Sequence, residues 1–95
     1  MIKAHEDAIN AYKRAVEIDN LNAPALYNLG NAYFMKGEFE KSINAYTLAL
    51  KLNPESAECH FNIASAYRDN KQFKEAEIHY ETSMKFNKKN PEVYY

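Results

Sequence analysis

The sequence repeats itself with a period of 34 residues, and this period limits the possible folds more than any other feature. The tetrapeptide Ile-Asn-Ala-Tyr at 9–12 recurs at 43–46. The segments 23–56 and 57–90 also align with each other, mainly at aromatic and small residues. A repeat of this length is typical of solenoids, in which each unit buries its apolar face against its neighbours. We therefore predict one elongated array of similar units.

Each unit has the pattern of two helices. The first helix of 23–56 places apolar or small residues on one face at the spacing i, i+3, i+4 and i+7, namely Leu26, Leu29, Gly30 and Tyr33. Gly37 marks the break before a second helix, because glycine readily takes the left-handed conformation that ends helices. The chain has only 2 Gly and 3 Pro and no long alternating strand pattern, so an all-α fold of antiparallel helical hairpins is expected. The predicted helices lie near 2–19, 23–36, 39–52, 57–70 and 73–87, and residues 91–95 begin a sixth.

The pattern Leu26-x-x-Leu29-Gly30-x-x-Tyr33, followed by Tyr46, Ala49 and Pro54, resembles the tetratricopeptide repeat. The second unit departs from this pattern at two positions. It has Lys71 in place of the turn glycine and Lys88 in place of the last proline. The resemblance implies a right-handed superhelix that binds an extended peptide or a partner helix in a concave groove. It divides the chain into half a repeat at 1–22, full repeats at 23–56 and 57–90, and the start of another at 91–95.

The charge balance gives no reason to expect nucleic acid or a membrane as partner. The 12 basic and 13 acidic residues give a net charge of −1, so the chain has no bulk field that attracts phosphates. No apolar run approaches the roughly 20 residues of a membrane span. The single cysteine, Cys59, cannot form a disulfide within the chain, which fits a reducing compartment, and we expect a cytoplasmic location.

The side chains with catalytic potential do not form a recognisable constellation. They are His5, Cys59, His60 and His79. Cys59 and His60 are adjacent on a helix and point about 100° apart, so they do not face each other as nucleophile and base. We predict that the segment is not an enzyme and holds neither a metal nor a cofactor.

A second stripe on the first helix of each unit predicts a binding surface. In 23–56 this stripe contains two aromatic residues that the hairpin does not need for its own core. With its counterpart in 57–90, it gives the predicted peptide-binding residues Tyr27, Asn28, Asn31, Phe34, Phe61, Asn62, Ser65 and Arg68. The alternative is that Tyr27 and Phe34 pack only against the neighbouring repeat. The groove is favoured because the interspersed amides and hydroxyl would lack partners in a purely apolar contact.

Asn28 and Asn62, spaced one period apart, would form an asparagine ladder. A carboxamide both donates and accepts, so it can bond a peptide backbone whatever the peptide's side chains. Similar ladders occur in the superhelix of O-linked N-acetylglucosaminyltransferases, which this sequence resembles in phase and in the triplet Asn-Leu-Gly at 28–30. A second hypothesis is therefore a substrate-recruiting arm of a larger enzyme such as a glycosyltransferase.

Two further inferences concern the partner. Tetratricopeptide proteins that clamp acidic chaperone tails use lysines where this sequence has Tyr27 and Glu92, so we do not expect that activity, although Asn31 and Asn62 agree with it. Residues 91–95 resemble the opening of a partner helix for 2–19, which predicts head-to-tail self-association.

Overall fold

A computed structural model describes residues 2–19 and 22–87, and within them the chain is entirely helical and turn structure. The helices are α1 (Ile2–Ile18), α2 (Ala23–Lys36), α3 (Phe39–Leu52), α4 (Ala57–Asp69) and α5 (Phe73–Asn87). This confirms the predicted all-α fold of helical hairpins, with α1 and α4 each ending one residue earlier than expected. The helix expected at 91–95 lies outside the described residues.

Polar side chains at the start of α2 and α4 explain where these helices begin. Asn22 precedes α2, and its side-chain oxygen accepts a hydrogen bond from the backbone amide of Ala25 at 2.9 Å. Ser56 caps α4 in the same way, because its side-chain oxygen accepts a hydrogen bond from the backbone amide of Cys59 at 3.2 Å. Each cap satisfies one of the amides that the first helical turn leaves without a partner. Pro24 lies in the first turn of α2, where its missing N–H breaks no helical bond.

The turns of the two complete repeats have the same geometry although their sequences differ. Gly37 ends α2 with φ of 86°, and Lys71 adopts φ of 64° at the equivalent position of the second repeat. The amide that follows each residue donates to a carbonyl five residues earlier, at 2.9 Å in the first repeat and 2.8 Å in the second. Lys71 therefore forms the turn in a conformation that costs a residue with a Cβ about 1–2 kcal/mol.

The helices pack in sequence, α1 on α2, α2 on α3, α3 on α4 and α4 on α5, while α2 also meets α4 along one edge. One buried cluster joins α2, α3 and α4 and consists of Leu26, Ile43, Tyr46, Ala49, Cys59, Ile63 and Ala66. A second joins α1, α2 and α3 and consists of Ile9, Leu29, Ala32 and Ala45. The core is thus shared between neighbouring hairpins, as the period predicts.

Gly30 of α2 lies directly against the ring of Tyr46 of α3. A Cβ built on Gly30 would lie 2.6 Å from two carbons of that ring, far inside a normal contact. Tyr46 is 1% exposed, and Ser42 donates to the carbonyl of Gly30 at 2.8 Å. In the second repeat the equivalent pair is Ala64 and Tyr80, and Tyr80 is only half-buried. The glycine therefore leaves room for the Tyr46 ring, which residues of α4 also bury.

Candidate functional site

Four of the eight predicted binding residues line one cavity of about 340 Å³ between α2 and α4. These two helices are the first helices of successive repeats, so the period places their equivalent faces side by side. The complete lining is Asn31, Phe34, Met35, Tyr46, Asn62 and Ser65. The cavity is therefore part polar amide and part aromatic or apolar wall.

Asn62 links the two helices by hydrogen bonds. Its Nδ2 donates to the Tyr27 hydroxyl at 2.6 Å and to Asn31 Oδ1 at 3.2 Å. The Tyr46 hydroxyl donates to the same Asn31 oxygen. Both N–H groups of Asn62 are thus used within the protein. Within the described part of the chain, Asn62 Oδ1 has no hydrogen-bond partner, and Asn31 Nδ2, which has two N–H groups, is hydrogen-bonded to the Tyr27 hydroxyl alone.

The direction of this hydrogen-bond chain follows from Glu58. Burial raises the pKa of Tyr27, and the neighbouring carboxylate of Glu58 raises it further. A carboxylate can only accept, so the Tyr27 hydroxyl hydrogen is drawn towards Glu58 and its oxygen accepts from Asn62. Asn62 must then present its nitrogen to Tyr27 and Asn31, which leaves its oxygen facing away.

Tyr27 and Phe34 contact both the core and the groove side of α2. Both are half-buried and pack against the cluster shared by α2, α3 and α4. The Tyr27 ring centroid lies 5.8 Å from that of Tyr46, and Phe34 meets Phe39 edge to face at 5.5 Å. Phe34 lines the cavity described above, while Tyr27 lines a separate one of about 220 Å³ at the start of α4. These aromatics therefore pack on the core and also line cavities, and their part in a binding groove stays a prediction.

Ser65 connects the cavity to an aromatic pair on the second repeat. Its hydroxyl lies 3.2 Å from the hydroxyl of Tyr80 and also 3.2 Å from the carbonyl of Phe61. Phe61 is 52% exposed and meets Tyr80 edge to face, with centroids 5.4 Å apart. Phe61 thus lies beside the cavity without lining it.

The remaining two predicted residues are separate from the cavity lining. Arg68 is exposed, and its Nε pairs with the carboxylate of Asp69 at 3.0 Å. Asn28 is half-buried, and its side chain makes no hydrogen bond within the described part of the chain. Asn28 corresponds to Asn62 by the 34-residue offset, but the side chain of Asn62 is hydrogen-bonded to Tyr27 and Asn31.

Sequence reasoning missed two lining residues, Met35 and Tyr46. Met35 is 68% exposed and follows Asn28 and Asn31 at i+7 and i+4, so a search for residues continuing the amide stripe would have found it. Tyr46 belongs to α3 and reaches the cavity only because Gly30 leaves room for its ring. No periodicity within α2 or α4 could indicate that contribution.

The side chains considered for catalysis have structural roles where they are described. Burial raises the pKa of the Cys59 thiol to about 12, with a further contribution from Glu58, so the thiol stays protonated near neutral pH. His60 Nε2 lies 2.8 Å from the carbonyl of Pro54, and His60 Nδ1 lies 3.1 Å from His79 Nδ1. Because a carbonyl only accepts, His60 carries its hydrogen on Nε2 and accepts from His79 at Nδ1.

The ranges 2–19 and 22–87 contain no group of three or more His, Cys, Asp or Glu side chains placed to hold a metal ion. Nor does any helix there combine the length and apolar character that a membrane span requires. The side chain of His5 lies outside those described.

Comparison with solved structures supports the fold. A crystal structure of MamA superposes with a TM-score of 0.87 at 28% identity, covering 98% of this chain and 54% of that chain. The first and second tetratricopeptide domains of Spaghetti (RPAP3), each bound to the HSP90 peptide SRMEEVD, superpose with TM-scores of 0.87 and 0.83 at 23% and 24% identity. The superpositions cover 93% and 86% of this chain and 70% and 76% of the Spaghetti chains. The chain thus spans about half the length of the MamA structure.

Family comparison covers nearly the whole sequence. Residues 23–56 and 57–90 each match the tetratricopeptide repeat, and residues 3–37 match a further pattern described as TPR repeat. A comparison with curated proteins found no match. Because the matches extend from residue 3 to residue 90 and the structure has the corresponding hairpins, the chain belongs to the tetratricopeptide repeat family.

Proposed function

We propose that this chain is a non-catalytic recognition segment that binds an extended peptide or partner segment along the groove between α2 and α4. The observation that supports this most directly is the cavity of about 340 Å³, which is lined by Asn31 and Asn62 and leaves the Asn62 Oδ1 acceptor without a partner in the described part of the chain. Stacked repeats of this kind use extended concave surfaces for binding. The groove would form one section of a right-handed superhelix, and Tyr27, Asn28, Phe61 and Arg68 would flank the peptide.

The proposal is tested by removing the two amides spaced one period apart. Replacing Asn28 and Asn62 together by Ala should weaken the binding of peptides with unrelated sequences by similar factors, because each lost hydrogen bond is worth about 1 kcal/mol. Peptides selected on the chain from a random display library provide the ligands, and calorimetry gives their dissociation constants. Asn10→Ala is the matched control, since Asn10 is exposed on α1. Equal affinity before and after the double substitution would remove the ladder.

Two related expectations concern the chain as a whole. Head-to-tail self-association stays a prediction, because the segment 91–95 on which it depends lies outside the described residues. Light scattering over a hundredfold range of concentration would detect it as a rising mean mass. A cytoplasmic location likewise stays a prediction, based on the single cysteine in the sequence.

A further inference from the structure

We infer that this groove selects an uncharged internal segment, with one residue hydrogen-bonded through its backbone by Asn31 and Asn62 and one apolar side chain inserted in the cavity. The inference rests on the proposed function, because it names the kind of peptide that the groove accepts. Three observations lead to it: the free hydrogen-bonding atoms, the cavity wall and the distribution of charge.

The free atoms of the two amides are complementary to a peptide backbone. Asn31 Oδ1 already accepts from the Tyr46 hydroxyl and from Asn62, and Asn31 Nδ2 also bonds the Tyr27 hydroxyl, so Asn31 has one N–H group to offer. Asn62 has donated both of its N–H groups, so only its Oδ1 acceptor remains. An extended strand presents the N–H and C=O of one residue on the same edge, as in the hydrogen-bonded pairs of an antiparallel sheet. Asn31 would therefore donate to the C=O, and Asn62 would accept from the N–H.

This arrangement divides the recognition of one residue between two repeats. A single free carboxamide could make both bonds alone, but neither Asn31 nor Asn62 is free to do so. Tyr27 and Tyr46 hold the two amides in their complementary orientations. A proline or an N-methylated residue at the bonded position lacks the N–H and would lose the bond to Asn62.

The cavity wall favours an apolar side chain beside that residue. Phe34, Met35 and Tyr46 form its apolar part, and its volume of about 340 Å³ falls at the lower end of the range for ligand pockets, about 300–1,000 Å³. Successive side chains of an extended segment point to opposite faces, so alternate ones face the helices. One such side chain enters the cavity and removes apolar surface from water.

The charges of the described groove disfavour an acidic segment or a chain terminus. Arg68 is the cation on this face, and it is already paired with Asp69 at 3.0 Å. At the other end, Glu58 lies close enough to raise the pKa of the Tyr27 hydroxyl, after the larger effect of burial. A bound carboxylate would meet no unpaired cation in the described part of the groove. It would lose hydration without gaining an ion pair.

The experiment begins with two random peptide display libraries, one presenting internal segments and one presenting free C-termini. Sequencing after selection on the chain shows which residues are enriched. We expect enrichment from the internal library, with one large apolar residue at a fixed position and few Asp or Glu residues. Fluorescence anisotropy then measures the binding of the most enriched labelled peptide to the variants described next.

Two substitutions separate the hydrogen-bonding step from the apolar step. Asn31→Asp keeps the oxygen that accepts within the protein and replaces the free donor, so affinity should fall roughly tenfold or more. Met35→Glu places a charge at the exposed apolar wall and should give a loss of similar size. Leu48→Glu is the matched control, because Leu48 is a half-exposed apolar residue of α3 outside the cavity, and it should leave binding unchanged. Thermal melts followed by circular dichroism show whether each variant folds. If Asn31→Asp does not fold, Met35→Glu still tests the inference.

The outcomes distinguish this inference from the proposed function. Selection of acidic C-terminal peptides would overturn the inference and leave peptide binding in place. Neutral peptides whose affinity is unchanged by Asn31→Asp and by Met35→Glu would do the same. Failure of both libraries to enrich any peptide would overturn the proposed function itself and the inference with it.

Discussion

Gly30→Ala should destabilise the protein even though alanine is the better helix former. The added Cβ would lie 2.6 Å from Cδ1 and Cε1 of Tyr46 and 3.0 Å from Cγ, so the ring must move. The ring has little room to do so, because Tyr46 is 1% exposed and its hydroxyl donates to Asn31. The substitution therefore sets a gain in local helix stability against a collision in the core.

The magnitudes indicate that the collision dominates. Replacing glycine by alanine inside a helix gains about 1 kcal/mol. Overpacking a core costs about 1–3 kcal/mol, and a displaced Tyr46 would lose its hydrogen bond to Asn31, worth about 1 kcal/mol. We therefore expect a net loss of about 1–3 kcal/mol in the free energy of unfolding. For a chain of this size each kcal/mol lowers the melting temperature by roughly 4–8 °C.

A double-mutant cycle with Tyr46→Leu tests the cause directly. Leucine has no ring beside Gly30, so Gly30→Ala in that background should become neutral or stabilising by up to about 1 kcal/mol. Urea titrations of the four proteins, followed by circular dichroism, give the coupling free energy. If Gly30→Ala stabilises the protein that still has Tyr46, the ring is not packed against the glycine and the reasoning is wrong.

Three further substitutions test other parts of the structure. Lys71→Gly should stabilise the protein by about 1 kcal/mol in urea titrations, because Lys71 has φ of 64°, and an unchanged midpoint would contradict a left-handed turn there. Ser83→Ala should cost about 1 kcal/mol, because the buried Ser83 hydroxyl donates to the carbonyl of Ala57 at 2.8 Å, and the melting temperature measures it. His79→Gln should flatten the pH dependence of stability below pH 6.5, since burial, and then His60, lower the pKa of His79. Because the unfolded state binds this proton more readily than the folded state, the free energy of unfolding decreases as the pH falls from 6.5 towards the lowered pKa of His79. An unaltered pH profile in the variant would exclude this effect.

The helices were predictable because local signals agree with the period. Apolar spacing predicts the helices and Gly37 predicts the end of one, and the structure confirms α2, α3 and α5 at both ends. The turn at Lys71 could not be predicted from its own residue type. Its geometry follows from the repeat, because the flanking helices pack as in 23–56 and impose the same connection.

The candidate site was less predictable, because the spacing of residues along a helix shows which way a side chain points but not how deeply it is buried. The stripe identified Asn31 and Asn62 as groove residues, and both line the cavity. It could not show that Asn62 donates both N–H groups to α2, since that depends on the distance between two helices. Tyr33, which the spacing places on the contact face of α2, is only half-buried.

The pair Gly30 and Tyr46 makes the two repeats structurally unequal. At the same positions the second repeat has Ala64, which is fully buried, and Tyr80, which remains half-buried next to Phe61. Two features accompany the difference: the Cβ of Ala64 occupies the space that the Tyr46 ring takes against Gly30, and Tyr46 shares its buried cluster with residues of α4, whereas no described helix follows α5. Of these two tyrosines, Tyr46 lines the cavity and Tyr80 does not.

The same inequality extends along the groove. Where the first repeat has Phe34 and Met35, the second has Arg68 and Asp69, which pair with each other. A groove made of identical repeats would bind a segment equally well after a shift of one repeat, because each shift would restore the same contacts. Here such a shift would move an apolar side chain from the aromatic wall to an ion pair, with a loss of apolar burial and no compensating bond. A segment bound by this chain would therefore have one preferred register, set by the first repeat.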